Sequence, residues 1–248
     1  MNIQNAIVLV TGANRGIGYA FVNELLARGA AKIYVAVRDT ASLHELMQSA
    51  DPRLVPLPLD ITDQDQVAAA AKVAKDITLL INNAGFASFD GAISASGIEL
   101  ARREMEVNYF GTMALTRAFA PVLAKQGGAI VNMLSMLALV TLPMAATYSA
   151  SKAAALALTR STRAELAGQG TQVVGVLAVQ TDTEMGASMP EPRMTPLEVV
   201  NDVLDAVEAG VNDEVIAGAQ SRIIHAAFVV DPVALQAKMS TRLPQRVA

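Results

Sequence analysis

Residues 6–18 read AIVLVTGANRGIG, a short apolar run ending in a turn with Gly12, Gly16 and Gly18, and the chain then continues as YAFVNELLARG. Six apolar residues closed by glycine suit a strand buried on both faces, and the segment beyond is spaced for a helix. A strand turning through glycines into a helix gathers free backbone N–H groups at one point, where the backbone can approach a pyrophosphate. This stretch predicts an α/β fold with a phosphate cradle after its first strand.

Working outward, the runs KIYVAV, LVPLPL, ITLLIN, AIVNMLS, QVVGVLAV and EVIAG alternate with longer segments that suit helices. Helical segments are expected to begin near Gly16, Ser42, Asp63, Gly97, Ala146 and Pro196. About seven apolar strands joined by helical crossovers imply a doubly wound, all-parallel sheet of Rossmann type with helices on both faces. Pro56 and Pro58 weaken the third strand, although an extended segment can tolerate them at an edge or bulge. With no repeat or linker, residues 1–248 are expected to form a single domain, and the Met- and Pro-rich stretch around 184–198 is expected to be a substrate loop.

A formal net charge of -4 without any Lys/Arg-rich block argues against nucleic acid as a partner. The chain has no cysteine and two isolated histidines, His44 and His225, so thiol chemistry is excluded and a metal site is not expected. The N-terminus lacks the pattern of a signal peptide, and the most apolar stretch, IVNMLSMLALVTLPMAA, is interrupted by Asn132, Ser135, Thr141 and Pro143. The expectation is a cytoplasmic protein with no membrane partner.

The turn has the spacing Gly-x-x-x-Gly-x-Gly. It is followed in order by Asp60 in LDITD, NNAG at 82–85, Asn108 in VNYFG, Ser135, and TYSASK at 147–152. This set resembles the short-chain dehydrogenase/reductase family over nearly the whole chain. The resemblance implies that a nicotinamide dinucleotide contacts Gly12, Asn14, Arg15, Gly16, Ile17, Gly18, Asp60, Ile61, Asn82, Ala84, Gly85, Tyr148, Lys152, Thr181 and Thr183. It also suggests a homotetramer or homodimer built on long helices at 97–125 and 146–168.

In relatives that use NAD, an acidic residue ends the second strand to receive the ribose hydroxyls; here Val37 stands there, followed by Arg38. A guanidinium can bind the 2′-phosphate that a carboxylate would repel. Arg38, with Arg15 as a second cation, favours NADP(H), while Asp39 could partly offset Arg38.

Tyr148 and Lys152 stand four apart, a spacing that puts both on one helix face. Alone the pair decides nothing. With Ser135 and Asn108, the resemblance makes Tyr148 the acid/base, Lys152 its electrostatic tuner and ribose ligand, Ser135 the holder of the substrate oxygen, and Asn108 the keeper of a water path through a helix irregularity. A phenol of reference pKa about 10 donates well but is a poor base near neutrality, and lowering it by ~3 units takes roughly 4 kcal/mol. Lys152 is the expected source of that stabilisation within the chain.

One segment departs from the family. Relatives carry Pro-Gly after the sixth strand, whereas this chain has Ala178-Val179 in VLAVQTDTEM, with Thr183-Glu184-Met185 keeping the later part. The expected pocket is apolar, formed by Phe86, Met136, Leu137, Met144, Val179, Met185 and Met189, with Arg193 as the one candidate clamp for an acidic group. The reading is hydride exchange between NADP(H) and an apolar ketone, aldehyde or secondary alcohol. The same site could serve an imine or a steroid-like ketone, and a regulator that binds NADP(H) without turnover is the rival of a different class.

Overall fold

Val8 and Val10 of β1 (Ile7–Thr11) enter one hydrophobic core while Leu9 between them enters another, and both cores exclude solvent. The same division runs through β4 (Leu79–Asn82), where Leu79 and Ile81 face one way and Leu80 the other. A strand whose alternate side chains are all apolar needs helices on both sides, because each face must leave water.

The structure, a computed structural model, describes residues 1–244. Its seven-stranded parallel sheet has the order β3-β2-β1-β4-β5-β6-β7, completed by β2 (Lys32–Val37), β3 (Leu54–Pro58), β5 (Ala129–Met133), β6 (Gln172–Leu177) and β7 (Glu214–Ile216). On one face lie α1 (Gly16–Ala27) and α7 (Pro196–Glu208), packing Phe21, Val22, Leu25, Val203 and Leu204 against the sheet. On the other, α3 (Gln64–Val73) and α5 (Thr112–Ala124) supply Val67, Ala70, Leu115, Phe119 and Leu123.

β3 is an edge strand, and Pro56 and Pro58 register against Val35 and Val37 of its only neighbour, so the missing N–H groups cost the sheet interior nothing. The expected helix at Ser42 is a short 3-10 turn at Thr40–Leu43 and the single turn α2 (His44–Met47). The long helix expected from residue 97 is α4 (Glu99–Met105), a π-helical turn at Glu106–Gly111, and then α5. The helix carrying TYSASK is α6 (Ala146–Leu166).

Two elements were not foreseen. Beyond β7 lie α8 (Ala219–Val230) and α9 (Pro232–Met239), the latter begun by Asp231, whose side chain accepts from Ala234 N–H. The Asp-Pro start signal was present in the sequence. No helix among the described residues is long and apolar enough to cross a membrane.

Candidate active site

Strand order reverses between β1 and β4, and the crevice beyond their C-terminal ends is where a doubly wound sheet receives ligands. The turn after β1 opens into it. Gly12 has φ +63°, and a Cβ there would stand 3.0 Å from Ala84 Cα. Helix α1 starts behind Arg15 with no side-chain cap, which leaves its first-turn N–H groups for an anion. A glycine-lined cradle at an uncapped twelve-residue helix fits a dinucleotide pyrophosphate.

Gly12, Asn14, Arg15, Gly16 and Ile17 line a cleft of about 1130 Å³, but Gly18 does not. Its role is packing, since a Cβ there would lie 2.1 Å from Gly12 O. Ala84 and Gly85 also line the cleft, whereas Asn82 is turned away. The Asn82 Nδ2 donates to Asn132 Oδ1 at 2.8 Å, and Asn132 Nδ2 to Thr159 Oγ1 at 2.9 Å, a buried chain across the sheet and into α6. Its neighbour Asn83 takes the place at the cleft, donating Nδ2 to Thr11 O at 2.8 Å. Thr11 Oγ1 in turn accepts from the Asn83 and Ala84 N–H groups at 3.0 Å each, tying the ends of β1 and β4 together. The second Asn of NNAG was the available signal for this joint.

Beyond the end of β3, Asp60 and Ile61 line the cleft, and Asp60 Oδ1 is fixed by Thr62 N–H and O–H at 2.9 and 2.7 Å. Arg38 lies on the wall beyond β2. Among the described residues Asp39 makes no ion pair with it; Asp39 Oδ1 accepts from Ala41 N–H at 2.9 Å and caps the following turn. Arg15 is ion-paired across the cleft with Glu184.

Ser135, Tyr148 and Lys152 meet at the other end of the same cleft. Ser135 ends the β5 extension, where its Oγ accepts from Leu137 N–H at 3.1 Å. The Lys152 ammonium donates to Met133 O at 2.8 Å and lies 5.7 Å from the Tyr148 ring centre. Burial pushes Lys152 down to about 8. Burial also pushes the Tyr148 phenol up, against the pull of the Ser135 hydroxyl and with a further push from the Glu104 carboxylate. Within the chain alone the push on the phenol is therefore upward, and the Lys152 ammonium is turned toward the Met133 carbonyl.

Asn108 sits in the π-helical turn, buried and off the cleft wall. Its side chain accepts from Phe86 N–H at 2.9 Å and donates to Phe86 O and Ser151 Oγ at 2.8 and 2.9 Å, while its backbone carbonyl receives the Thr112 hydroxyl.

Of the expected pocket residues, Phe86, Met136, Leu137, Val179, Met185 and Met189 line the cleft. Met144 does not; its backbone N–H points to Arg242 O at 3.3 Å, into the join with the C-terminal segment. Arg193 is not a clamp either. It pairs with Asp182 and Glu191 and donates to Ala187 O and Met189 O, bracing its own loop.

At the altered turn, Ala178 O accepts from Met136 N–H at 2.9 Å and Val179 N–H donates to Ser221 Oγ on α8 at 3.0 Å. Val179 keeps a negative φ, so the missing glycine leaves no left-handed strain. Thr181 and Thr183 line the cleft with their hydroxyls donated to Val179 O and Thr181 O. Phe89, Arg103, Gln220, Ile224, Met239 and Arg242 also line the cleft and carried no signal in the sequence; three of them, Gln220, Ile224 and Met239, lie on the C-terminal helices α8 and α9.

A family model described as short chain dehydrogenase matches residues 6–193. The mouse protein named dehydrogenase/reductase SDR family member 7B is 32% identical over 233 residues, 83% of this chain and 71% of its own length. A crystal structure of a short chain dehydrogenase from Burkholderia cenocepacia in complex with NADP superposes with a TM-score of 0.91 at 47% identity, covering 96% of this chain and 99% of that one. An NADPH-bound carbonyl reductase from chicken fatty liver superposes with a TM-score of 0.75 at 31% identity, over 82% of this chain and 91% of that one.

Proposed function

The chain belongs to the short-chain dehydrogenase/reductase family, oxidoreductases that use a nicotinamide cofactor, and from that premise we propose that it is an NADP(H)-dependent carbonyl reductase acting on an apolar ketone or aldehyde. The observation that carries this reading is the meeting of Ser135, Tyr148 and Lys152 at one end of a cleft whose other end is the glycine cradle.

When bound, the nicotinamide supplies the hydride. The N–H groups of the first α1 turn and the bare backbone at Gly12 hold the dinucleotide's phosphates, and Arg38 reads the 2′-phosphate. Ser135 Oγ orients the substrate oxygen. Tyr148 gives its proton to that oxygen as negative charge develops there, and Ser135 steadies the charge by hydrogen bonding. Burial keeps the phenol protonated at neutral pH, which suits donation and so the reductive direction. Lys152 sits one helical turn along, where its ammonium can hold ribose hydroxyls. Phe86, Met136, Met185 and Met189 enclose the apolar part of the substrate, and the thioethers adapt to its outline.

The test is NADPH oxidation against aliphatic, aryl and steroid ketones, with Tyr148→Phe as control. Turnover of at least one class, reduced at least about 100-fold by Tyr148→Phe with NADPH binding retained, is expected. NADPH binding without turnover of any class would instead favour a nucleotide-sensing role.

A further inference from the structure

Residues 136–147 join Ser135 to Tyr148, and the chain beyond α8 is fastened along them. The Gln236 side chain on α9 takes the Thr141 N–H on Oε1 at 2.9 Å and gives Nε2 to the Thr141 carbonyl at 3.0 Å. Past the end of α9, Arg242 O accepts from Met144 N–H at 3.3 Å. Pro244 then meets the loop after β4, where a Cβ at Gly91 would lie 2.8 Å from Pro244 Cγ. Leu235, buried, seats the inner face of α9.

Each fastening falls beside the reaction centre. Thr141 and Met144 lie between Ser135 and Tyr148 in the chain. Gly91 closely follows Phe89, whose ring stands 6.1 Å from the Tyr148 ring, centre to centre. The segment so held presents Met239 and Arg242 to the cleft. It therefore bounds the cleft where Ser135, Tyr148 and Lys152 meet, away from the glycine cradle.

Arg242 is exposed, and its guanidinium has no hydrogen bond or ion pair among the described residues. The other cations of the cleft are placed differently. Arg15 is paired with Glu184 and Arg102 with Glu99, the Lys152 ammonium is turned to Met133 O, and the Arg103 guanidinium lies 4.3 Å from the centre of the Phe86 ring. Arg38 follows β2, which β1 and β4 separate from β5 and Ser135 beyond it.

A guanidinium offers a planar fork of N–H donors that fits a carboxylate. The chain leading from Ser135 toward Met144 contributes Met136, Leu137, Val140 and Leu142 to the cleft wall, all apolar, and Met239 adds to them from α9. Ser135 is buried and Arg242 is exposed. A ligand whose carbonyl oxygen is held at Ser135 can thus lie along apolar side chains and end at a cation in contact with water. A carboxylate placed there keeps part of its hydration, so the large cost of burying a charge does not arise.

We propose that α9 and residues 240–244 form the outer wall of the substrate end, and that Arg242 on this wall binds a carboxylate at the far end of an apolar keto acid. The proposal rests on the reductase reading of Ser135 and Tyr148, and it narrows the substrate from an apolar ketone to one with an acidic end.

The test compares methyl ketones of increasing chain length that end in a carboxylate with their methyl esters, as kcat/KM with NADPH at low salt. Arg242→Met should lower the acid-to-ester ratio about fivefold and Arg242→Glu about 25-fold, through KM for the acid. High salt should compress both differences, since the contact is exposed. A ratio that is the same in wild type and both variants overturns the role of Arg242. A ratio that falls in Arg103→Met and not in Arg242→Met overturns it as well, and moves the acid to the Phe86 side. Gln236→Ala loosens the wall without removing a charge, and should raise KM for acid and ester together severalfold. Unchanged KM for both overturns the role of the wall. Absence of turnover on every acid and ester would count against the reductase reading. The proposal would then be judged by the quenching of NADPH fluorescence as the same pairs bind, where Arg242→Met should again lower the acid-to-ester affinity ratio about fivefold. An unchanged affinity ratio, or no binding of any acid, overturns it.

Discussion

Asn108 holds Phe86 at both ends of one residue, taking its N–H on Oδ1 at 2.9 Å and giving Nδ2 to its carbonyl at 2.8 Å. A third bond runs from Nδ2 to Ser151 Oγ, which donates to Tyr148 O. One buried amide thus ties the loop beyond β4 to α6, the helix that bears Tyr148 and Lys152. The π-helical turn is what lets this amide reach the loop from within a helix, a geometry associated with functional sites.

Replacing Asn108 by leucine keeps the volume and orphans the Phe86 N–H and carbonyl. The cost should be about 2–4 kcal/mol, read as a lower urea midpoint at unchanged m-value. The residual folded enzyme should lose turnover, since Phe86 and Tyr148 no longer share a fixed reference. Wild-type stability in Asn108→Leu would mean that these bonds are replaced by water at no loss.

Lys152 carries a stability cost that varies with pH. Its folded-state pKa, about 8, lies below its ordinary 10.5, so between these values the unfolded chain holds more protons and stability rises with pH. Below pH 8 the full cost of the buried ammonium is present. Lys152→Met should therefore be more stable than wild type at pH 7 by about 2 kcal/mol, after allowing for the lost bond to Met133 O, while losing activity. Chemical unfolding at pH 7 and pH 10 checks the sign: the advantage should shrink at the higher pH. An advantage that is constant with pH would assign it to packing rather than to charge.

How much of this was legible beforehand follows from the physics of each signal. The parallel sheet was, because fully apolar strands joined by helical segments have few ways to bury both faces, and the glycine turn marks its centre. Ser135, Tyr148 and Lys152 were, because motif spacing carries them to one place. Asn82 was misplaced because a strand alternates faces, and one residue decides between a buried network and the cleft. Met144 was misjudged because its environment depends on chain far away in sequence, at Arg242, and Arg193 because its guanidinium is taken up by Asp182, Glu191 and the carbonyls of its own loop. The upward push of burial on the phenol leaves no mark in a motif, because desolvation is a property of the packed site.

The ion pair between Arg15 and Glu184 bridges the glycine turn and the loop that follows β6. The two segments are already in contact nearby, since a Cβ at Gly16 would meet Thr183 Cγ2 at 3.0 Å. Both charged groups are largely exposed, so the pair is worth at most about 1 kcal/mol to folding. Its effect should appear in cofactor binding, because Glu184 competes with a phosphate for the Arg15 guanidinium. Glu184→Gln should lower the Kd for NADPH a few-fold and leave thermal stability within about 1 kcal/mol of wild type. Weaker NADPH binding in that variant would show that Glu184 shapes the site and does not compete for it.

Arg38 is the residue on which cofactor choice should turn. It follows β2 directly on the cleft wall, and Asp39 beside it accepts from the Ala41 N–H. An added phosphate with charge-assisted hydrogen bonds to a guanidinium gains about 1.5–3 kcal/mol, which is roughly 10- to 150-fold in affinity. Arg38→Asp reverses the sign of the local charge. It removes that gain, repels the 2′-phosphate, and offers a carboxylate to the ribose hydroxyls of NADH. The ratio of kcat/KM for NADPH over NADH should fall at least 100-fold, mostly through KM, with the pH dependence of turnover unchanged because Tyr148 lies at the opposite end of the cleft. Arg38→Ala separates the two effects: it should lose the preference for NADPH without gaining affinity for NADH. If the ratio is unmoved in both variants, selection belongs to other groups on the adenosine wall, and Arg15 is the next to be replaced.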